Sequence, residues 1–175
     1  MKAKRSERLS AYIDPLTLLD LSDQLRYSDD PINRELAQHL YPGPVLGFSM
    51  RPPKIVALGS VVNKLQKPKR PTKSKRAKNP AETAEDWGKA FIFEIFNDLR
   101  KIICGKGKTP AKLGHKSTAV LTSLAAFIAQ YLGISNPTAL GIAVLVLLSL
   151  GNATKTAFCR TTNADQIKKL LKMST

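Results

Sequence analysis

The sequence predicts an all-α protein: a C-terminal amphipathic helix, an apolar helical hairpin and a short basic helix, preceded by a largely irregular basic N-terminal half. Three observations carry that class. Aspartate precedes proline twice near the N-terminus, in "IDPLTLL" and "DDPINREL", and this pairing marks helix starts. Apolar residues recur at helical spacing from Ile92 to Ile103. Ala139 to Leu150 carry no charge and a single hydroxyl, Ser149, so no face of a helix built from them is polar.

Asp14 is a cap with Pro15 opening a helix to about Tyr27; Asp30 and Pro31 open a second to about Leu40. Leu18, Leu21, Leu25 and Ile32, Leu36, Leu40 then fall on apolar stripes. Pro42, Gly43 and Pro44 end the second helix. Residues 45–65 read as short strands or one short helix, with Pro52–Pro53 arguing against a continuous sheet. Residues 66–80 hold seven basic side chains and three prolines, leave almost nothing to bury and are expected to be disordered.

An amphipathic helix follows over about 84–104. Glu82, Glu85 and Asp86 crowd its start, and Gly105 and Gly107 stop it. The next helix covers about 113–132 with Gly133 at its end. Its bulky stripe includes Leu121, Leu124 and Ile128, and its other side is small: Thr118, Thr122, Ala125, Ala126 and Ala129. "GISNPTALG" is a tight connection in which Asn136 caps the following helix and Pro137 opens it. That helix carries Leu140, Val144 and Leu147 and either stops at Gly151 or continues to Arg160. The six residues Leu121, Leu124, Ile128, Leu140, Val144 and Leu147 are the expected hairpin core. A last helix has Thr162 as cap, Ile167, Leu170 and Leu171 inward, and Lys168, Lys169 and Lys172 outward.

The charge of +15 is unevenly placed. Residues 1–40 have net −1, 41–80 net +10, 81–104 net −2 and 105–175 net +8. No acid occurs between Glu35 and Glu82, or between Asp98 and Asp165. Three regions follow: 1–63 with two short helices, a basic linker over 64–80, and a helical domain over 81–175 with the apolar hairpin at 113–160. Blocks of one sign bind polyanions or anionic membrane surfaces. The contacts to lipid head groups or phosphate are assigned to Lys67, Lys69, Arg70, Lys73, Lys75, Arg76 and Lys78 in the linker, and to Lys106, Lys108, Lys112 and Lys116 beyond it.

Catalytic chemistry finds no foothold. "CGKGKT" at 104–109 resembles the tail of a phosphate-binding loop, but the full pattern needs glycine where Ile102 stands, and a helix precedes it where that motif has a strand. His115 lies among lysines and reads as an exposed helix-start residue; His39 reads as a surface or capping histidine. Neither lies near the other or near Cys104 and Cys159 in sequence, so no metal set is drawn from them. The two cysteines lack CxxC spacing; a disulfide between them is open but nothing in the sequence supports it, and they read as buried free thiols in a reducing compartment. The N-terminal stretch "MKAKRSERLSAY" has no apolar core, so a secretory signal is not expected from it. Trp87 and the tyrosines do not interleave with the basic run, which removes a base-stacking platform and leaves backbone electrostatics. No enzyme activity, cofactor or small-molecule substrate follows.

The decisive question is what covers the apolar helix after Pro137. Helix 84–104, the small side of 113–132 and the last helix each hide part of it. The apolar strip that remains invites a bilayer. Segments 113–134 and 137–160 are long enough to cross one, at about 1.5 Å per residue, and lysines flank both ends, which places both termini on the cytoplasmic side. The leading expectation is a non-enzymatic, membrane-associated protein that inserts a helical hairpin and holds anionic head groups with its basic segments. The alternative is a soluble, cytoplasmic, self-associating helical protein that binds nucleic acid non-specifically through its linker, or an adaptor whose N-terminal helices dock a partner.

Overall fold

α6, Asn136–Ser149, is buried along most of its length, and the other elements are best placed by how they cover it. The computed structural model describes residues 8–41, 54–65, 80–104, 116–151, 153–161, 165–167 and 169. In chain order these form a 3-10 turn at Leu9–Tyr12, α1 (Pro15–Arg26), α2 (Pro31–Leu40), α3 (Lys54–Leu65), α4 (Pro80–Cys104), α5 (Lys116–Leu132), α6 and α7 (Lys155–Arg160). The chain is mostly helical, as expected of an all-α protein.

The N-terminal starts are built as their sequences predict. The Asp14 carboxylate accepts from the Thr17 amide at 3.1 Å, and that of Asp30 accepts from the Ile32 amide at 2.8 Å. Each satisfies one of the donors that a helix start leaves open. The turn between α1 and α2 is pinned through Ser28, whose hydroxyl oxygen accepts from the Asp30 amide and from the Asn33 side-chain amide. The N-terminal half is less irregular than expected: residues 54–65, ambiguous in sequence, are one helix with Ile55, Ala57, Leu58, Val61 and Val62 buried. The connection over 42–53, with the expected stops Pro42, Gly43 and Pro44, lies outside the described residues.

α3 and α4 cross at van der Waals contact of their backbones. A Cβ on Gly59 would lie 1.6 Å from the Ala84 carbonyl oxygen, and one on Gly88 would lie 2.2 Å from that of Ile55. Two glycines therefore permit an approach that no other residue pair allows. α4 begins at Pro80, a turn before the expected start, and buries Phe91, Ile92, Ile95, Phe96, Leu99 and Ile103. Its expected stops, Gly105 and Gly107, lie outside the described residues.

α5 ends as a helix with a left-handed terminal glycine should. Gly133 has φ +66°, and the Ile134 amide donates to the Ala129 carbonyl at 3.2 Å. The cap of α6 differs from expectation by one residue: Ser135 holds that position, its hydroxyl 2.8 Å from the Thr138 hydroxyl, and Asn136 is already helical. The chain turns by 115° between α5 and α6, so the pair forms an oblique V and not the antiparallel hairpin expected. α6 stops at Ser149, where the Gly151 amide donates to the Leu148 carbonyl, and α7 is a separate short helix. The continuous reading to Arg160 is thus corrected, and α6 measures only about 21 Å. No single helix among the described residues is long and apolar enough to cross a membrane.

α1, α2, α3, α5 and the 3-10 turn all pack on α6. Ala139, Ile142, Ala143, Val144, Leu145, Val146, Leu147 and Leu150 are each 0% exposed. Leu25 of α1 and Leu36 of α2 close on the face of Gly141, where a Cβ would sit 3.1 Å from a terminal methyl of each. The uncovered strip predicted on this helix is therefore reduced to the half-buried Leu140 and Leu148. The N-terminal helices, which the comparison of coverings left aside, supply the missing shelter. α4 packs outside this layer against α3, α5 and α7. The described buried side chains, from Leu9 to Ile167, form one continuous core.

Candidate functional site

The cationic residues assigned to head groups or phosphate lie in two connectors. Lys67, Lys69, Arg70, Lys73, Lys75, Arg76 and Lys78 fall between α3 and α4, and Lys106, Lys108 and Lys112 between α4 and α5; all ten lie outside the described residues. Lys116 is the first residue of α5. What is described is their attachment. One connector enters α4 at Pro80 and the other leaves it at Cys104. A helix of this length separates its ends by about 36 Å, so the two cationic segments are anchored at opposite ends of one rod.

The α4 surface between them is itself mixed in sign. Glu85 pairs with Lys89, and Asp98 with Lys101 at 2.8 Å. Such exposed pairs contribute little to stability. At the middle of α4, Tyr131 of α5 stacks on Phe127 with ring centroids 5.8 Å apart and meets Phe91 at 6.2 Å. Burial raises the Tyr131 phenol above its ordinary pKa, and a hydrogen bond and charge from Glu94 add to the shift.

The residues assigned to the hairpin core sit as follows. Leu121, Leu124, Ile128, Val144 and Leu147 are buried and Leu140 is half-buried. α5 turns its bulky stripe inward, and Thr122, Ser123, Ala126 and Gln130 face outward. Of the small side, through which Ala125, Ala129 and Gly133 were expected to let α6 approach, Ala125 is buried and Ala129 half-buried, whereas Thr122, Ala126 and Gly133 are exposed. In water the bulky side chains have most to gain from burial, at about 25 cal/mol per Å².

Two polar clusters were not foreseen. At the start of α6, the buried Thr138 hydroxyl donates to Asn33 Oδ1 at 2.7 Å, and the Asn33 amide donates to Ser28 Oγ at 2.9 Å. This chain satisfies buried polar groups and registers α6 against α2. Between α2 and α3, Glu35 accepts from Ser60 Oγ at 2.9 Å and from Lys64 Nζ at 2.6 Å, with His39 Nε2 at 4.0 Å. The Lys54 ammonium donates to the His39 carbonyl and so closes the C-terminus of α2. Ser60 donates to the carboxylate, so the cluster ties α3 to α2. Glu35 and His39 at i,i+4 are visible in sequence, but Ser60 and Lys64 join them only through the fold.

The cysteine expectation is also corrected: Cys104 and Cys159 form a disulfide between the end of α4 and α7, with Cα atoms 5.7 Å apart. The signal missed was topological, because α7 returns to the end of α4 only once α6 is placed. Among the described residues, no three or more His, Cys, Asp or Glu side chains are grouped to hold a metal ion. The Tyr12 hydroxyl is buried without a hydrogen-bond partner, and the Lys155 ammonium lies 5.9 Å from its ring centroid. His115, and the glycines and lysines of the partial phosphate-loop pattern at 105–109, lie outside the described residues.

No family model matches the chain, and neither a curated protein nor a solved structure matches it.

Proposed function

We propose that this chain is a non-enzymatic helical scaffold, packed for water, that presents two cationic connectors to nucleic acid and grips phosphates without reading sequence. The observation that carries the reading is the segregation of charge: seven Lys or Arg and no acid between α3 and α4, and no acid from Asp98 to Asp165. The orientation of α5 supports the first half of it. Helices paired in lipid put small residues at the contact, whereas α5 buries Leu121, Leu124 and Ile128 and leaves Thr122, Ser123 and Ala126 outside.

A salt titration of binding to duplex DNA and RNA tests the proposal. Each neutralised phosphate adds about 0.9 to the slope of log K against log salt on duplex DNA. Replacing Lys67, Lys69, Arg70 and Lys73 by Gln is expected to flatten that slope by up to about 3.6 and to weaken all sequences alike. Affinity indifferent to salt would sink the reading.

A second reading is favoured by one observation. Ala119–Leu132 and Asn136–Ser149 together have the length and composition of a broken span. In this reading α5 and α6 leave the core for a bilayer, and basic segments add about 1 kcal/mol per residue at an anionic surface. Carbonate extraction separates the two: the scaffold reading expects release into the soluble fraction, the membrane reading retention.

A further inference from the structure

The Cys104–Cys159 bridge spans 55 residues of sequence. It joins the last residue of α4 to a helix of six residues. A helix that short does not persist on its own. α7 packs on α4, where Phe158 is fully buried and its ring lies 5.0 Å from that of Phe96. Upstream it is tied by a single antiparallel bridge between Arg8 and Thr154. Its own hydrogen bonds are local: Thr154 caps its start through the Ala157 amide, and the Thr161 hydroxyl donates back to the Ala157 carbonyl.

Access and charge set this bridge apart from the core. Both cysteines are half-buried, whereas most α6 side chains are sealed. Lys101 lies in the last turn of α4 with Arg100 just before it, and Arg160 follows Cys159 directly. Asp98 is the nearest acid before Cys104, and it is paired with Lys101. Cationic surroundings favour thiolate, which makes each cysteine a better leaving group in thiol–disulfide exchange.

We propose that the Cys104–Cys159 disulfide is a redox-operated clasp: reduction by a dithiol releases α7 from α4 while the core around α6 stays folded. A thiolate of the reductant attacks one sulfur, forming a mixed disulfide and expelling the other cysteine as thiolate. The second thiol of the reductant then displaces the first cysteine. Cys104 and Cys159 have gained two electrons and two protons, and the reductant leaves as its disulfide. The release is local because α6 is held by α1, α2, α3 and α5, none of which carries either cysteine.

The test is hydrogen exchange on the full chain before and after dithiothreitol, with thiols counted by iodoacetamide. The expected result is no alkylation before treatment and two sites after it. Amides of 155–160 then exchange at least tenfold faster, and those of 139–150 are unchanged. The Cys104→Ser, Cys159→Ser double variant should match the reduced protein and ignore dithiothreitol. Two free thiols before treatment overturn the bridge. Unchanged exchange at 155–160 after full reduction, or equal loss at 139–150, overturns the clasp.

Discussion

α5 and α6 are neighbours in sequence, similar in length and both rich in apolar residues, yet the fold treats them differently. α6 is surrounded from Gly141 to Leu147, and only its first turn and Leu140 and Leu148 reach the surface. α5 is a surface helix with one sealed stripe and one wet one. The difference lies in what each could offer water. α5 carries Thr122, Ser123 and Gln130 on the side opposite Leu121, Leu124 and Ile128, so it can lie at a boundary. α6 has no such side, and its burial must be shared among several helices. Mean hydropathy records how completely a helix must be enclosed and is silent on what encloses it.

The largest expected effect breaks this contrast directly. Val144→Asp places a carboxylate where nothing can pair it, and should cost at least about 4 kcal/mol and prevent folding. Ala126→Glu, on the outward side of α5, should change stability by no more than about 0.5 kcal/mol. Urea unfolding followed by circular dichroism measures both. Equal costs at the two positions would mean that α5 is enclosed as fully as α6. Next comes Leu124→Ala on the sealed stripe of α5, where the side chain is 0% exposed; the expected loss is about 3 kcal/mol.

Much of this arrangement was legible before the fold. The Asp-Pro starts of α1 and α2, the apolar period of α4 and the terminal Gly133 are local devices, written in a few consecutive residues. What failed was non-local. α3 looked ambiguous because its helical character is secured by contact with α4, where Gly59 and Gly88 meet, and glycine in isolation argues against a helix. The strip on α6 looked uncovered because the chain's basic stretch separates it in sequence from α1 and α2, which pack on it in space. The disulfide needed the same knowledge. Of the candidate site, the run of charge was plain from composition, but its attachment to both ends of α4 required the helix boundaries.

A smaller effect sharpens the comparison at the point where α6 enters the core. Thr138→Val keeps the shape of the side chain but removes the donor to Asn33 Oδ1. Leaving that buried amide oxygen short of a partner should cost about 1–3 kcal/mol. The Asn33→Leu, Thr138→Val double variant should recover part of the loss, because an apolar pair carries no unpaired group. A double-mutant cycle by urea unfolding gives the coupling. Strictly additive losses would show that the two side chains do not act together.

The joint between the two helices supplies the mildest test. Gly133 adopts φ +66°, and a Cβ placed there would meet nothing within 4 Å. The cost of Gly133→Ala is therefore conformational alone, about 1 kcal/mol for a left-handed alanine. Gly133→Asn should cost less, since asparagine visits that region more readily. If packing and not backbone conformation fixed the joint, the larger asparagine would be the worse of the two. An alanine variant as stable as the parent would mean that the chain passes from α5 to α6 without the left-handed turn, and the 115° angle that lets α6 run inward while α5 stays at the surface would need another cause.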